Sequence, residues 1–554
     1  MQKIEKWKQK VWFSILLNIA ILIGLVFIFR PGYETNDDIG IQNIVSGVKG
    51  NWDAHLVYIN YLLGLLIAFS YKICPVSVSM YAIMQYFVLF LAFTAISYVL
   101  FQKIKSSSAF WIILVLLIPF SYEGYIKIQY TKTAGIVSAA GLFLLCYALT
   151  IDKYVKRTVA CALVLCAVGF MYRDMQFLVE GALLSAMLIP ILWEQFQNPR
   201  KEFWKRGIIL GGGLFLILTG LYLVNERAYR SAEWKEYQEF NELRTELYDY
   251  GFPDYTMNQE AYEELGIDKN AYQLYRGWNF EDTDKFTVDV MRQLVALKEK
   301  KAINRSFLQE FFDTFPIQFF TIASFNIFLV LFVISLLWGD RSCKTVIKLV
   351  YETVVIMFLY FYLYYRGRYL YNRVDVGIWL SVSLTVLWGL QGNKLYFSNR
   401  SGVMLLAAVL CVSQGTWNKR GRWNSEEKTE KMMQTRAAIE QIHNDPGHLY
   451  LTKVGLLSFF DAYGVFDQIP VGMSANIYAL GGWTANLPIY FEQLDAYEIQ
   501  NPYKDMIGNE KIYLVDNEIG KTMEYIHTYY DAGAKEELVT SIGKLKVYQI
   551  QAGS

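Results

Sequence analysis

Charge is scarce in this sequence: only 19% of its 554 residues are Asp, Glu, Lys or Arg, while 54% are hydrophobic. A soluble protein of this length carries more charge and less apolar side chain. The net charge is +1, so no basic footprint for nucleic acid is present and that class of partner is excluded. Cysteine is rare as well. Cys74, Cys146, Cys161, Cys166, Cys343 and Cys411 all lie in or beside apolar runs, with no CxxC pair. That pattern excludes a disulfide framework and a thiolate metal centre, and reads as small packing residues. The four histidines, His55, His443, His448 and His527, are scattered. No GxGxxG or GxxxxGK[ST] run occurs, so nothing suggests nucleotide binding. The first apolar run, 11–29, follows the basic start KIEKWKQK but lacks an A-x-A-like cleavage site and is too long for the core of a signal peptide. It reads as a retained transmembrane helix.

What the chain has in abundance is apolar runs and aromatic residues. Aromatics make up 16% of it, which suits broad membrane interfaces anchored by Tyr and Trp. Runs long enough to span a bilayer, or nearly so, fall at 11–29, 76–101, 109–121, 131–150, 157–172, 176–194, 207–225, 316–338, 345–365, 374–390 and 400–416. With the N-terminus inside, the inner loops are QKIKSSS, IDKYVKR, EQFQNPRKEFWKR, GDRSCK and QGNKLYFSNR, and every one carries Lys or Arg. That agrees with the positive-inside rule. The assignment holds only if the interrupted stretch 56–73 does not span, so it is expected to lie as a helix in the outer interface.

Two polar regions then face outward. Residues 226–315 form a loop with helix-like segments, and loops of that length are usually functional. Residues 417–554 read as an α/β domain: SEEKTEKMMQTRAAIEQIHND and GKTMEYIHTYYDAG as helices, and HLYLTK, KIYLVD and KLKVYQI as strands. The expected architecture is a polytopic α-helical membrane protein of about eleven transmembrane helices over 1–416, with an extracytoplasmic α/β domain at 417–554.

The first outer loop, 30–75, carries the clearest chemical signal. Asp37 and Asp38 stand just beyond the first span, in TNDDIGIQNIVSGVKGNWDAH. TNDD is a strong helix start, so an N-cap role is one reading of the pair. The other is catalytic: neighbouring carboxylates raise one another's pKa, which suits a general base. The order of span, acidic pair, short helix, Gly50-Asn51-Trp52 turn, interfacial helix and second span resembles the GT-C superfamily of integral membrane glycosyltransferases, such as protein O-mannosyltransferases and the lipid A aminoarabinose transferase. The chain lacks the latter's P-P-L opening of the interfacial helix. The resemblance implies a GT-C-like fold and a sugar donor carried on polyprenyl phosphate. It further implies attack by an acceptor hydroxyl with inversion, and Asp37 or Asp38 as the base.

A phosphate leaving group needs cations where outer loops are normally poor in them. Arg366, Arg368 and Arg373 cluster in YYRGRYLYNRVD at the outer end of the ninth span, and Arg173 sits similarly in FMYRDMQF. Arginine offers phosphate a planar, bidentate fork, so these four are the expected phosphate ligands. Ion pairing with loop carboxylates and contact with lipid headgroups are the bland alternatives. Glu123, Lys127 and His55 are the candidate sugar or acceptor contacts, with a structural His55 as the alternative. No cofactor is required. Hard cations take carboxylates, so a divalent ion at Asp37 and Asp38 is a lesser reading, for which a third ligand is not evident.

The expected activity is transfer of a sugar from polyprenyl phosphate to a glycan, lipid or protein acceptor on the outer side of a bacterial plasma membrane, among membrane lipids. A polysaccharide polymerase or ligase also combines outer arginines with one large outer loop. A lipid-linked saccharide transporter would show internal repeats with interrupted helices, and none is evident. Eleven spans are excessive for a receptor that merely anchors its C-terminal domain.

Overall fold

The computed structural model describes residues 11–74, 78–104, 106, 108–151, 156–298, 302–367, 371–390, 395–420 and 426–553. Long apolar segments leave the backbone no partner in a bilayer except itself, which forces helix. Val11–Ile28, Met80–Lys103, Tyr130–Thr150, Asp174–Gln197, Lys201–Ala228 and Cys343–Tyr365 are long and apolar enough to cross a membrane. Ala109–Tyr125, Lys156–Tyr172, Ala323–Trp338, Asn372–Trp388 and Asn399–Arg420 complete the series. Each apolar run read from the sequence except 316–338 falls on one of these helices. The run 316–338 is divided: a helix at Arg305–Phe319 ends, the chain turns through Phe320–Ile322, and a new helix begins at Ala323. Side chains such as Phe27, Ile208, Phe215 and Leu216 stand exposed around the bundle. A band of that size in water would be a large exposed apolar patch; against lipid it has no cost. The chain is a multi-pass membrane protein.

Small residues set the closest helix packing. A Cβ on Gly141 would stand 2.6 Å from Cys166 N, and one on Gly169 would stand 2.3 Å from Ser138 Oγ. Tyr130–Thr150 and Lys156–Tyr172 therefore touch backbone to backbone, in the manner of small-residue helix contacts in membranes. Cys166 acts here as a packing residue, as does buried Cys146, while Cys74, Cys161, Cys343 and Cys411 are exposed; all six are free thiols.

The expected interfacial helix is shorter than read. Helix covers only Tyr61–Ile73, because Val57 adopts φ 64° and Asn60 caps the start by accepting from Leu62 N at 3.0 Å. Thirteen residues reach about 20 Å, too little to span. Leu63, Ile67 and Tyr71 are buried while Leu65, Leu66, Phe69 and Ile73 are exposed, so the helix has one face on protein and one apolar face outward.

The C-terminal segment builds a five-stranded sheet in the order Ile477–Ala479, Leu449–Thr452, Ile512–Val515, Leu545–Gln551, Lys535–Ile542. The first three strands are parallel and the last two form an antiparallel hairpin. The three strands read from the sequence are present; Ile477–Ala479 and Lys535–Ile542 are additional. The latter is exposed at every residue but Ile542 and opens on the charged run Lys535-Glu536-Glu537, so it lacks the apolar alternation that marks a strand.

This unit docks on both polar loops. Gly472 N and Ser474 N donate to Gly47 O and Val48 O, each at 2.9 Å, and Asn51 Nδ2 donates to Glu492 Oε2 at 3.0 Å. From the large loop, Asp282 accepts from the Tyr525, Tyr530 and Asn501 side chains, and Phe280 N donates to Leu480 O. The closest approach is at Gly481, which bridges Asn279 with φ +156°; a Cβ there would lie 1.8 Å from Trp278 O. Gly481→Ala is expected to cost about 1–3 kcal/mol, read as a lower melting temperature, and to raise proteolysis within 226–298. Wild-type melting and proteolysis would show that the seam does not hold the loop.

Candidate functional site

The opening loop is fixed before it reaches the acidic pair. Gly32–Tyr33 pairs in parallel with Lys127–Ile128, so the chain leaving the first span is tied to the end of the third. Helix then runs from Asn36 to Val45 with Thr35 at its N-cap position, making no side-chain cap bond. Asp37 and Asp38 occupy its first turn, where negative charge suits the helix dipole.

The two carboxylates go different ways. Asp38 is fully buried. Its Oδ1 accepts from Tyr81 OH at 2.9 Å, Tyr130 N at 3.0 Å and Gln85 Nε2 at 3.4 Å, while Oδ2 has no partner among the described residues. Burial pushes its carboxyl up to about 8; Tyr81, Gln85 and Tyr130 N pull it down, and the Asp37 charge pushes it up. Asp38 is thus a neutral, buried tie between the opening loop and two membrane helices. The folded state holds this proton where an unfolded Asp, titrating near 4, has lost it. The stabilisation is complete below the unfolded value and is lost as pH rises through about 8.

Asp38→Asn keeps the acceptor and the neutrality, so it is expected to fold, to work and to lose that alkaline decline in melting temperature. Asp38→Ala orphans three donors at about 1–3 kcal/mol each and is expected to melt far lower. An Asn variant that folds but is inactive would return Asp38 to the chemistry.

Asp37 is partly exposed. Its Oδ2 takes Arg373 Nη1 at 3.0 Å and a long contact from Thr35 Oγ1 at 3.5 Å; its Oδ1 accepts nothing among the described residues. Arg173 lies beside them: Nη1 donates to Tyr130 OH at 3.2 Å, and the guanidinium sits 5.3 Å from the Tyr58 ring and 5.8 Å from the Tyr130 ring. Tyr58 and Tyr130 stack at 6.0 Å, and Trp483 from the C-terminal unit packs on Tyr58 at 5.3 Å. Buried Arg244 of the large loop reaches the same phenol, Nη2 to Tyr58 OH at 3.5 Å, and is braced by Asn241. One carboxylate with an open oxygen therefore shares an aromatic-walled site with three arginines.

A second polar cluster holds Arg373 in place. Fully buried Lys132 pairs with Glu34 and, at 2.6 Å, with Glu123. Asn372 Nδ2 donates to Glu123 Oε2 at 2.9 Å and Glu34 Oε1 at 3.2 Å. The residue before Arg373 is thereby locked to two other elements. Lys127 is buried near Tyr122 and lends its charge to Glu123. Glu123 and Lys127 thus stand in this buried cluster.

The remaining expected residues lie elsewhere. Arg366 pairs with Glu246 and stacks on Tyr250 at 4.1 Å, so it fastens the large loop to the bundle and does not join Arg373 at Asp37. Arg368 lies outside the described residues. His55 Nδ1 donates to Asp53 Oδ1 at 2.7 Å, and the ring stacks on Trp234 at 4.8 Å between Tyr61 and Tyr229. For a divalent ion, no group of three or more His, Cys, Asp or Glu is gathered among the described residues. Asp38 is sealed from water, so an ion arriving there meets Asp37, already held by Arg373.

Glu34, Tyr58, Tyr130, Arg244 and Trp483 were not among the expected residues. Glu34 had a signal, since it continues the acidic run in ETNDD. Arg244 had none, because NELRTELY reads as an ordinary charged helix face.

Fold and site together define a multi-pass membrane protein whose acid–arginine site lies beneath an α/β cover. Two solved structures align over 96% of this chain and 97% of theirs. They are ArnT from Cupriavidus metallidurans in the apo state, 11% identical with TM-score 0.40, and the same protein bound to undecaprenyl phosphate, 10% identical with TM-score 0.41. No family model and no curated protein matches the sequence. At TM-scores that low the likeness carries no weight for function, and the side chains around Asp37 must carry it themselves.

Proposed function

We propose that this protein is a GT-C-type glycosyltransferase that moves a sugar from polyprenyl phosphate to an acceptor hydroxyl at the outer face of a bacterial plasma membrane. In this reading the N-terminus is cytoplasmic and the α/β unit is extracytoplasmic. The observation that carries it is the open Asp37 carboxylate held against Arg373 with Arg173 beside it. An acceptor hydroxyl is a poor nucleophile, so Asp37 takes its proton as the oxygen attacks the anomeric carbon. The bond from that carbon to the lipid phosphate breaks, its electron pair leaves with the phosphate, and attack opposite the leaving group inverts the centre. Charge grows on the departing phosphate, where guanidinium groups stabilise it most in a water-poor rim. The order of elements in 1–75 supports the same reading through its resemblance to the GT-C superfamily.

Binding tests this without knowledge of the sugar. Purified protein is titrated with polyprenyl phosphate and with the matching uncharged polyprenol. Preference for the phosphate, weakened in Arg373→Ala, is expected. Equal binding of the two lipids would contradict the reading.

A further inference from the structure

At the opposite end of the bundle lies a cavity of about 710 Å³ that plays no part in the chemistry at Asp37. Its distance from that site follows from one helix. Tyr130, at the first residue of Tyr130–Thr150, bonds Asp38 through its backbone N–H, and Tyr147 and Thr150 line the cavity. Twenty residues of helix rise about 30 Å, the thickness of a hydrocarbon core. The cavity is thus at the other membrane face. Its walls are helix termini: the last turn of Met80–Lys103, the last residue of Asn372–Trp388 and the first turn of Cys343–Tyr365. That is the depth of lipid headgroups.

The lining has the chemistry of an anion site. Lys103, Arg200, Lys344 and Lys348 face it, against Glu194 and Asp340, which leaves it net positive. Both acids are already engaged: Glu194 stands 3.6 Å from Arg200, and Asp340 accepts from the Ser342 and Thr345 hydroxyls. Lys348 is buried in the cavity floor, its Nζ donating to Thr385 O at 2.7 Å, with Glu352 one turn deeper. Lys103 is held 3.8 Å over the Trp388 ring, so its charge is fixed in place. Tyr147 and Trp388 are the amphipathic aromatics expected at that depth.

We propose that this cavity binds the phosphate-bearing headgroup of an anionic phospholipid from the leaflet opposite the Asp37 site. Basic pockets between transmembrane helices take such headgroups. The volume falls within the usual range for small-ligand sites, several hundred Å³. Lys103 and Lys344 neutralise the phosphate at the rim, and Lys348 supplies charge from the floor.

The test is a lipid titration of the detergent-purified full chain, followed by native mass spectrometry. Phosphatidylglycerol and phosphatidylcholine of identical acyl chains are compared, with inorganic phosphate as competitor. One retained phosphatidylglycerol, bound roughly tenfold or more tighter than phosphatidylcholine, is expected from two surface lysines at about fivefold each. Lys103→Gln with Lys344→Gln is expected to erase that preference while leaving the lipid-free melting temperature near wild type. If the pair fails to fold, Lys344→Glu alone must still reverse the preference. Equal affinity for the two lipids, or an unchanged preference in a folded lysine variant, overturns the proposal. Displacement of phosphatidylglycerol by millimolar phosphate assigns the cavity to a soluble phosphate compound and overturns the lipid source.

Discussion

Asp37→Asn is expected to lower turnover about 10²-fold or more, the usual contribution of a positioned general base, and to leave the amount of folded protein unchanged. The second expectation follows from the partial exposure of Asp37 and from its bonds: one to Arg373 and one long contact to Thr35. An amide there still accepts from Arg373, so the loop has no reason to unfold. Donor affinity should rise or hold, because removing a negative charge beside an anionic lipid phosphate relieves repulsion. The signature is therefore a fall in kcat without a matching rise in KM for the donor. A purely structural Asp37 would give the opposite result, lower yield and normal activity per folded molecule.

The arginines give the second large effect. Arg373→Ala removes a guanidinium from the rim and frees Asp37 of its only ion-pair partner among the described residues. Charged hydrogen bonds contribute about 1.5–3 kcal/mol each, so kcat/KM for the donor is expected to fall about 10- to 100-fold, with Arg173→Ala in the same range. Arg373→Lys keeps the charge and loses the fork, and should fall in between. Arg366→Ala is the internal control. Its guanidinium serves Glu246 and Tyr250, so it should lower melting temperature and leave donor kinetics close to wild type. If Arg366→Ala matched Arg373→Ala in donor kinetics, the separation of the two would be mistaken. Steady-state kinetics per folded molecule, normalised by gel filtration, reads all four variants.

The contrast between Arg366 and Arg373 shows where sequence reasoning stops. Both were visible as positive charge in a loop that the sequence reads as an outer one, where charge of that sign is disfavoured. Their partners were not, since Glu246 and Asp37 lie 120 and 336 residues away in the chain. The division of labour in the acidic pair was hidden for the same reason. Asp38 is buried by Tyr81 and Tyr130, 43 and 92 residues on, and adjacency alone places both aspartates in one motif. Glu123 was nearer to legible. Its partner Lys132 is nine residues along, across the short turn between Ala109–Tyr125 and Tyr130–Thr150, a spacing that favours an internal pair over a sugar contact. The apolar runs were the most legible feature, because a bilayer imposes helix on any segment that long. The break at Phe320–Ile322 escaped because the apolar run continues straight through it. The strand Lys535–Ile542 escaped because hairpin pairing, rather than burial, holds it.

Asp37→Asn and Asp38→Asn, assayed side by side in one preparation, test the central claim most directly. Release of polyprenyl phosphate from a polyprenyl-phosphate sugar is measured per folded molecule. Loss of about 10²-fold in Asp37→Asn with near wild-type release in Asp38→Asn is the predicted result. Wild-type release in Asp37→Asn would contradict the assignment of the base, whatever Asp38→Asn showed.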